Sequence, residues 1–334
     1  MNGILKGAMM QNIESLECKN QTVIKEFILL GFRNIQDMKI FLLLVFLVVY
    51  LMTMMANILI IMLVLADLRL HTPMYFFLGN LSLLETLYSS TISPRMLASL
   101  VTGDRTISIS GCFVQHYLFV SLAAVECYLL FAMSCDRCLA ICKPLHYVSL
   151  MNGQLCLKMA AGSWIAGFFA STVTIILMSR LVFSGPNEIN HFFCDTFPII
   201  QLSRSNTFFL ETLILVFVAV FTLPPFTLTL MSYVFIIIAI LKIPSTTGRK
   251  KAFSTCSSHL IVVAIYYGTI AAVYILPDST SLRDLNKAFS IFYTILTPLV
   301  NPLIYSLRNK DVKDSFQKFA MIVFGKAQTI NQKK

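Results

Sequence analysis

The chain has 334 residues and a formal net charge of +10; 57% of it is hydrophobic and only 13% is charged, against about 45–50% and about 25% in an ordinary soluble domain. That balance excludes a soluble globular protein. It describes a chain that spends most of its length inside a bilayer, where length no longer bounds the number of domains.

Residues 1–39 read as an extracellular N-terminal tail. They lack the roughly 7–15-residue apolar core of a cleavable signal peptide, and they hold the sequon Asn20-Gln21-Thr22, which makes Asn20 a glycosylation acceptor. Seven apolar runs follow, near 40–66, 74–97, 111–135, 155–178, 207–241, 252–276 and 288–307. Each approaches the about 20 residues needed to cross a hydrocarbon core of about 30 Å. The first carries no charge between Lys39 and Asp67, whereas the second, third and fifth each contain a Glu and the seventh contains two prolines. Backbone groups in lipid need internal partners, which leaves helices or closed barrels, and these runs are too long for barrel strands. The expected fold is therefore all-α. It is a seven-transmembrane helix bundle over 40–308, followed by a cytosolic tail over 309–334 with a short amphipathic helix.

Fifteen of the 26 Lys and Arg, among them Arg69, Arg137, Lys143, Lys250, Lys251 and Lys318, fall on one side of these spans together with four acids; eleven fall on the other with ten acids. The positive-inside rule makes the first side cytosolic and the N-terminus extracellular. The net charge is thus a topology signal that also draws the chain to anionic inner-leaflet lipid, and nucleic acid is not needed to explain it.

Ionisable groups inside a spanning helix cost on the order of 2.5–3.5 kcal/mol at its centre and so face the bundle interior. Glu85 lies eleven residues from the start of the second run and Glu126 eleven before Arg137. At 1.5 Å per residue both sit roughly 16 Å deep, level with Asn57. Two acids at one depth can share a proton, hold a cation, line a transporter's proton path, or bond separately to polar neighbours; the residues alone leave these open. Asp136 and Arg137 lie at the cytosolic face, where Pro144 ends the helix. As residues they are a charge pair anchoring the interface.

Cys135, Cys138 and Cys142 surround that pair. A redox CxxC needs a βαβ context that is absent here, and a zinc site would need Cys256 or His259 to join it. On the oxidising outer side, Cys112 and Cys194 form the expected disulfide, with Cys18 left over in the tail.

Five ordered motifs carry a resemblance: "PMYFFLGNLSLLE" (73–85), "MSCDRCLAICKPLHY" (133–147), "SY" (232–233), "KAFSTCSSHL" (251–260) and "NPLIYSLRNKDVK" (301–313). Together they resemble the odorant (olfactory) receptor family of rhodopsin-like (class A) G-protein-coupled receptors. The resemblance implies a receptor and not an enzyme, with a volatile ligand in the outer half of the bundle. Its partner would be an olfactory stimulatory G-protein α subunit that raises cyclic AMP, and its place the plasma membrane. By the same resemblance, Asp136 and Arg137 are the lock and G-protein contact, Tyr233 borders the cytosolic cleft, and Tyr267 with Gly268 forms a hinge. Asn301, Pro302 and Tyr305 form the seventh-helix switch, and Glu85 with Glu126 forms a candidate sodium site.

The family's ligand positions fall on His116, Phe119, Val120, Ala123 and Ala124 in the third run, and on Phe217, Val218 and Phe221 in the fifth. They continue with Ile270, Ala271 and Tyr274 in the sixth and Ile291 and Thr294 in the seventh. This set is apolar and aromatic with a few hydrogen-bonding tips, which suits a small uncharged ligand. Two departures stand out. The family usually has tyrosines where this chain has Cys135 and Cys138, which bears on G-protein coupling. Ser184 and Arg204 replace the outer pair of loop cysteines, which implies a looser loop.

Overall fold

The computed structural model describes residues 24–31, 38–203, 207–275 and 283–331. Seven helices cross in sequence: α1 (Lys39–Ala66), α2 (Pro73–Thr102), α3 (Ile109–Cys142), α4 (Gly153–Met178), α5 (Phe208–Leu241), α6 (Thr246–Ile275) and α7 (283–308), followed by α8 (Lys310–Asn331). The chain thus folds as a seven-transmembrane helix bundle.

The cores of the expected spans hold; α2, α3, α6 and α7 reach beyond the expected limits at one or both ends, while α5 begins one residue inside its own. α2 runs through Pro94 to Thr102 and stops at Gly103, whose φ of 79° is left-handed and favours glycine. α3 starts where Ser108 accepts a hydrogen bond from the Gly111 amide, and it continues to Cys142. Within α7, residues Phe292–Leu296 form a π turn before Pro298 and Pro302, a widening that proline-containing helices tolerate.

Five helices, α1, α3, α4, α5 and most of α7, are by themselves long and apolar enough to span. α2 is as long, but its buried face carries Ser82, Glu85, Ser89 and Ser93. That polar stripe is hidden against neighbouring helices and lowers its apolarity without exposing charge to lipid.

α3 is the central element, packed against α2, α4, α5 and α6. α4 comes close to it at Gly167, where an added Cβ would come within 2.5 Å of Val125 Cγ2 and 2.7 Å of the Ser121 carbonyl. Only glycine permits that crossing. Small residues let backbones pack closely where the hydrophobic effect cannot drive helices together.

One end of the bundle is capped by loops. Strand β1 (Glu26–Leu29) lies between β2 (Thr106–Ser108), paired antiparallel, and β3 (Glu188–Ile189), paired parallel. Phe27 is fully buried there with Cys112, Met178, Ile189, Cys194, Ile199, Ile200 and Ile214. Part of the expected tail is therefore structural, while Asn20 and Cys18 lie outside the described residues. At the opposite end α8 docks on the α1–α2 corner. Ser315 Oγ donates to Asp67 Oδ2 at 2.7 Å, and the Tyr75 hydroxyl lies 2.9 Å from Asp311 Oδ2.

Candidate functional site

The residues singled out in the sequence form three layers along α3. At the loop-capped end, Cys112 is disulfide-bonded to Cys194. The Gln115 carbonyl accepts from the Cys194 amide at 3.0 Å, and its amide nitrogen donates to the Thr91 carbonyl of α2 at 3.2 Å. The loop after α4 is thereby pinned to α3 both covalently and by hydrogen bonds. One turn on, the fully buried His116 pairs through Nε2 with Thr196 Oγ1 at 2.9 Å. Thr196 opens a short helix, Thr196–Ile200, capped by Asp195.

Burial pushes the Asp195 carboxyl up to about 6 and, with Lys287 nearby, pushes His191 down to about 3, because both lose hydration of their charged forms. His191 stacks on Phe192, packs edge-on to Phe193, and reaches Ser290 of α7 at 3.3 Å. In the same loop Phe183 and Ser203 form an isolated antiparallel β-bridge.

Beneath the loop, the Phe119 ring meets Phe193 at 4.9 Å, Tyr88 at 5.4 Å and Tyr293 at 5.9 Å. Val120, Ala123, Ile270 and Ile291 are half-buried against the same core, and Ala124 and Ala271 are half-buried. Phe217 and Phe221 pack ring on ring at 4.6 Å, and the buried Thr294 donates to the Ser290 carbonyl at 2.6 Å. Val218 differs, since it is 40% exposed and turned away from the packed interior. The side chain of Tyr274 lies outside the described residues. Below this level the Tyr266 hydroxyl donates to the Ala123 carbonyl at 2.6 Å and touches Cys127 Sγ at 3.1 Å, tying α6 to α3. The neighbouring Tyr267 ring rests on Phe226 of α5 at 4.6 Å.

The middle layer is polar. Asn301 of α7 donates to Glu85 Oε1 and, at 3.5 Å, to Glu126 Oε1, so a single amide bridges the two acids that the depth count set on one level. Asn57 donates to the Pro298 carbonyl at 3.0 Å, supplying a donor beside the proline break in α7. Glu85 Oε2, Asn57 Oδ1 and Asn301 Oδ1 are buried and accept no hydrogen bond. Such hard oxygen donors around two carboxyl groups fit a small cation. Among the described residues, no group of three or more His, Cys, Asp or Glu could hold a metal ion.

At the far end the buried Asp136 takes Arg137 on Oδ2 and the Tyr147 hydroxyl on Oδ1 at 2.6 Å. Tyr233 of α5 bonds to His259 Nδ1 of α6, and both are buried. Tyr305 is buried behind them. Sequence reasoning missed Thr196, Gln115, Tyr147 and Tyr266 as partners, and it weighed His259 only as a zinc ligand. Tyr147 had a signal, because it closes the motif that contains Arg137. Nothing local marked the others, whose partners are between 24 and 143 residues away.

Comparison with known proteins matches residues 46–322 to the family described as "Olfactory receptor". Among relatives, the human olfactory receptor 11L1 is 47% identical over 303 residues, covering 91% of this chain and 94% of its own. The human olfactory receptor 10A7 is 46% identical over 301 residues, with 90% and 95% covered. The mouse olfactory receptor 5AP2 is 43% identical over 310 residues, with 93% and 98% covered.

Proposed function

The chain belongs to the olfactory receptor family, and on that premise we propose that it detects a small, mostly apolar volatile molecule and activates a stimulatory, olfactory-type heterotrimeric G protein, raising cyclic AMP. The receptor domain is 40–308, with the tail 1–39 outside the plasma membrane and 309–334 in the cytosol, as the charge asymmetry of the loops supports. The odorant binds in the outer half, between α3, α5, α6 and α7. His116, Phe119, Val120, Ala123, Ala124, Phe217, Phe221, Ile270, Ala271, Tyr274, Ile291 and Thr294 are the lining, and Val218 borders it from the outer surface.

The observation that carries the mechanism is the clamp at Asp136, which accepts from both Arg137 and Tyr147. In this state Arg137 is engaged and a partner cannot use it. An odorant with higher affinity for a state in which α6 has swung out shifts the equilibrium by that difference in affinity, and by no more. Movement at Tyr267 and Gly268 would part Tyr233 from His259, free Arg137, and open a cleft bordered by Tyr233, Lys250 and Tyr305 for the carboxy-terminal helix of the α subunit. Asn301 and Pro302 are where α7 adjusts. The bridge from Asn301 to Glu85 and Glu126 couples α2, α3 and α7. A sodium ion held there would supply positive charge that favours the closed arrangement.

The test is cyclic AMP production in cells carrying the receptor and an olfactory stimulatory G protein, screened with a panel of volatile odorants beside Arg137→Ala. Odorant-dependent production lost in the Arg137→Ala control is the expected result. Ion flux through reconstituted receptor without nucleotide exchange on the G protein would replace this reading with a transporter or channel.

A further inference from the structure

At the Arg137 end, α3 carries Cys138 and Cys142 one turn apart on one face. Their sulfurs are 3.9 Å apart, with the Cys138 thiol directed at Cys142 Sγ, while the Cys142 thiol points at the Phe235 carbonyl of α5 at 3.6 Å. Cys142 is exposed and Cys138 is half-buried. The Cys142 sulfur is thus the accessible member of the pair, and access is what lets an oxidant reach a thiol. The other thiols nearby are placed differently: Cys135 is directed to Ser232 of α5, and Cys256 is buried.

We propose that Cys138 and Cys142 form a redox-sensitive dithiol, closed by a two-electron oxidant of the peroxide class and reopened by cytosolic thiols. The regulatory half of this proposal rests on the orientation and G-protein coupling described above. In the first step Cys142 sulfur attacks one peroxide oxygen. The O–O bond breaks, Cys142 becomes the sulfenic acid, and the other oxygen leaves as water. In the second, Cys138 sulfur attacks the sulfenic sulfur, the S–O bond breaks, and a second water leaves with the Cys138 proton. Two thiols are oxidised to one disulfide, and one peroxide is reduced to two waters. Exposure assigns the order, since the oxidant reaches Cys142 first and Cys138 resolves it.

Bond formation has a structural consequence. Residues four apart on a helix hold their Cβ atoms about 5–6 Å apart, whereas a disulfide needs about 3.5–4.5 Å. The last turn of α3 must therefore tighten. It is closed by the Lys143 amide bonded to the Leu139 carbonyl at 3.0 Å, and Pro144 follows directly. Tightening withdraws Cys142 from the Phe235 carbonyl and distorts the turn immediately after Arg137. Oxidation thus disables the surface on which the G protein would act, and reduction restores it.

The experiment uses the full-length receptor in lipid nanodiscs, prepared reduced, then treated with hydrogen peroxide and digested for mass spectrometry. The expected result is an internal peptide carrying Cys138 and Cys142 that has lost two hydrogens, regains them with dithiothreitol, and does not form in Cys142→Ser. In the reduced receptor a trivalent arsenical should bridge the same two sulfurs, since it spans their existing separation without altering the turn. A disulfide from Cys135 or Cys256 instead, or oxidation of Cys142 alone to a mixed adduct, would overturn the proposal. Basal nucleotide exchange on the stimulatory G protein should fall several-fold on oxidation in the wild type and stay constant in Cys142→Ser. Equal exchange by the oxidised and reduced wild type would refute the regulatory role. Absence of exchange even when reduced would count against the coupling itself, with the dithiol then judged by its peptide.

Discussion

At the Cys112 end the bundle is held by a disulfide, by backbone pairing of β1 with β2 and β3, and by a buried apolar cluster around Phe27. At the Arg137 end the same helices are joined by side-chain hydrogen bonds: Asp136 to Arg137 and Tyr147, Tyr233 to His259, and Tyr75 and Asp67 to the start of α8. The first set is a covalent bond, backbone pairing and buried apolar packing, none of which exchanges readily for another partner. The second can be exchanged for other partners at little cost, because each group bonds equally well elsewhere. The proposed function uses that asymmetry, with one end that keeps its shape around a ligand and one that rearranges when a partner arrives.

The contrast can be attacked from its strongest side first. Cys112→Ala should cost about 2–4 kcal/mol, seen as a lower melting temperature of the solubilised receptor. A loss no larger than that from a single hydrogen bond would mean that the sheet and the apolar cluster alone hold this end.

Asp195→Asn should act in the opposite direction. The carboxyl, raised by burial to about 6 from 3.8, favours its protonated form in the fold, so the wild type loses stability as pH rises from about 4 to about 6. The amide keeps the cap on Thr196 without the charge. The variant should be more stable by roughly 3 kcal/mol above pH 6, and the gain should disappear as the pH falls to about 4. Melting curves at pH 4 and pH 7 check this, and an equal gain at both would assign the effect to something other than the charge.

Tyr147→Phe probes the exchangeable end. It removes a bond to a carboxylate, worth about 1.5–3 kcal/mol, from the closed arrangement only. Basal nucleotide exchange should rise several-fold, and the melting temperature should fall, by less than in Cys112→Ala. An unchanged basal rate would show that the Asp136 clamp does not restrain Arg137. The smallest effect belongs to Thr196→Val, which deletes one neutral bond to His116 and should lower stability by about 1 kcal/mol.

The bundle was legible because hydropathy is a strong signal over about 20 residues, and the level shared by Glu85 and Glu126 followed from helical rise alone. The amide that joins them was less accessible. Asn301 lies between Pro298 and Pro302 and after the π turn at Phe292–Leu296, so no regular count along α7 gives its depth. The strand at 26–29 escaped for another reason. Four residues with little polar alternation make a strand only when two distant loops offer their edges, and no local pattern reports that. His116 was singled out only by the resemblance, as a ligand position, and its partner Thr196 is set by how the disulfide folds the loop back over α3. Resemblance supplied roles for Arg137 and Asn301, whereas the contacts of Tyr147, Tyr266 and His259 had to come from the structure.

The most direct test of the contrast is to follow both ends in one receptor with site-specific labels that do not rely on cysteine. One pair would sit at Leu145 and Lys250, the other at Thr106 and Val182, all exposed positions. Distances would be measured with and without nucleotide-free stimulatory G protein. The Leu145–Lys250 distance should lengthen as α6 moves out, while the Thr106–Val182 distance should stay fixed. Comparable shifts at both ends, or movement at the Thr106–Val182 pair alone, would contradict it.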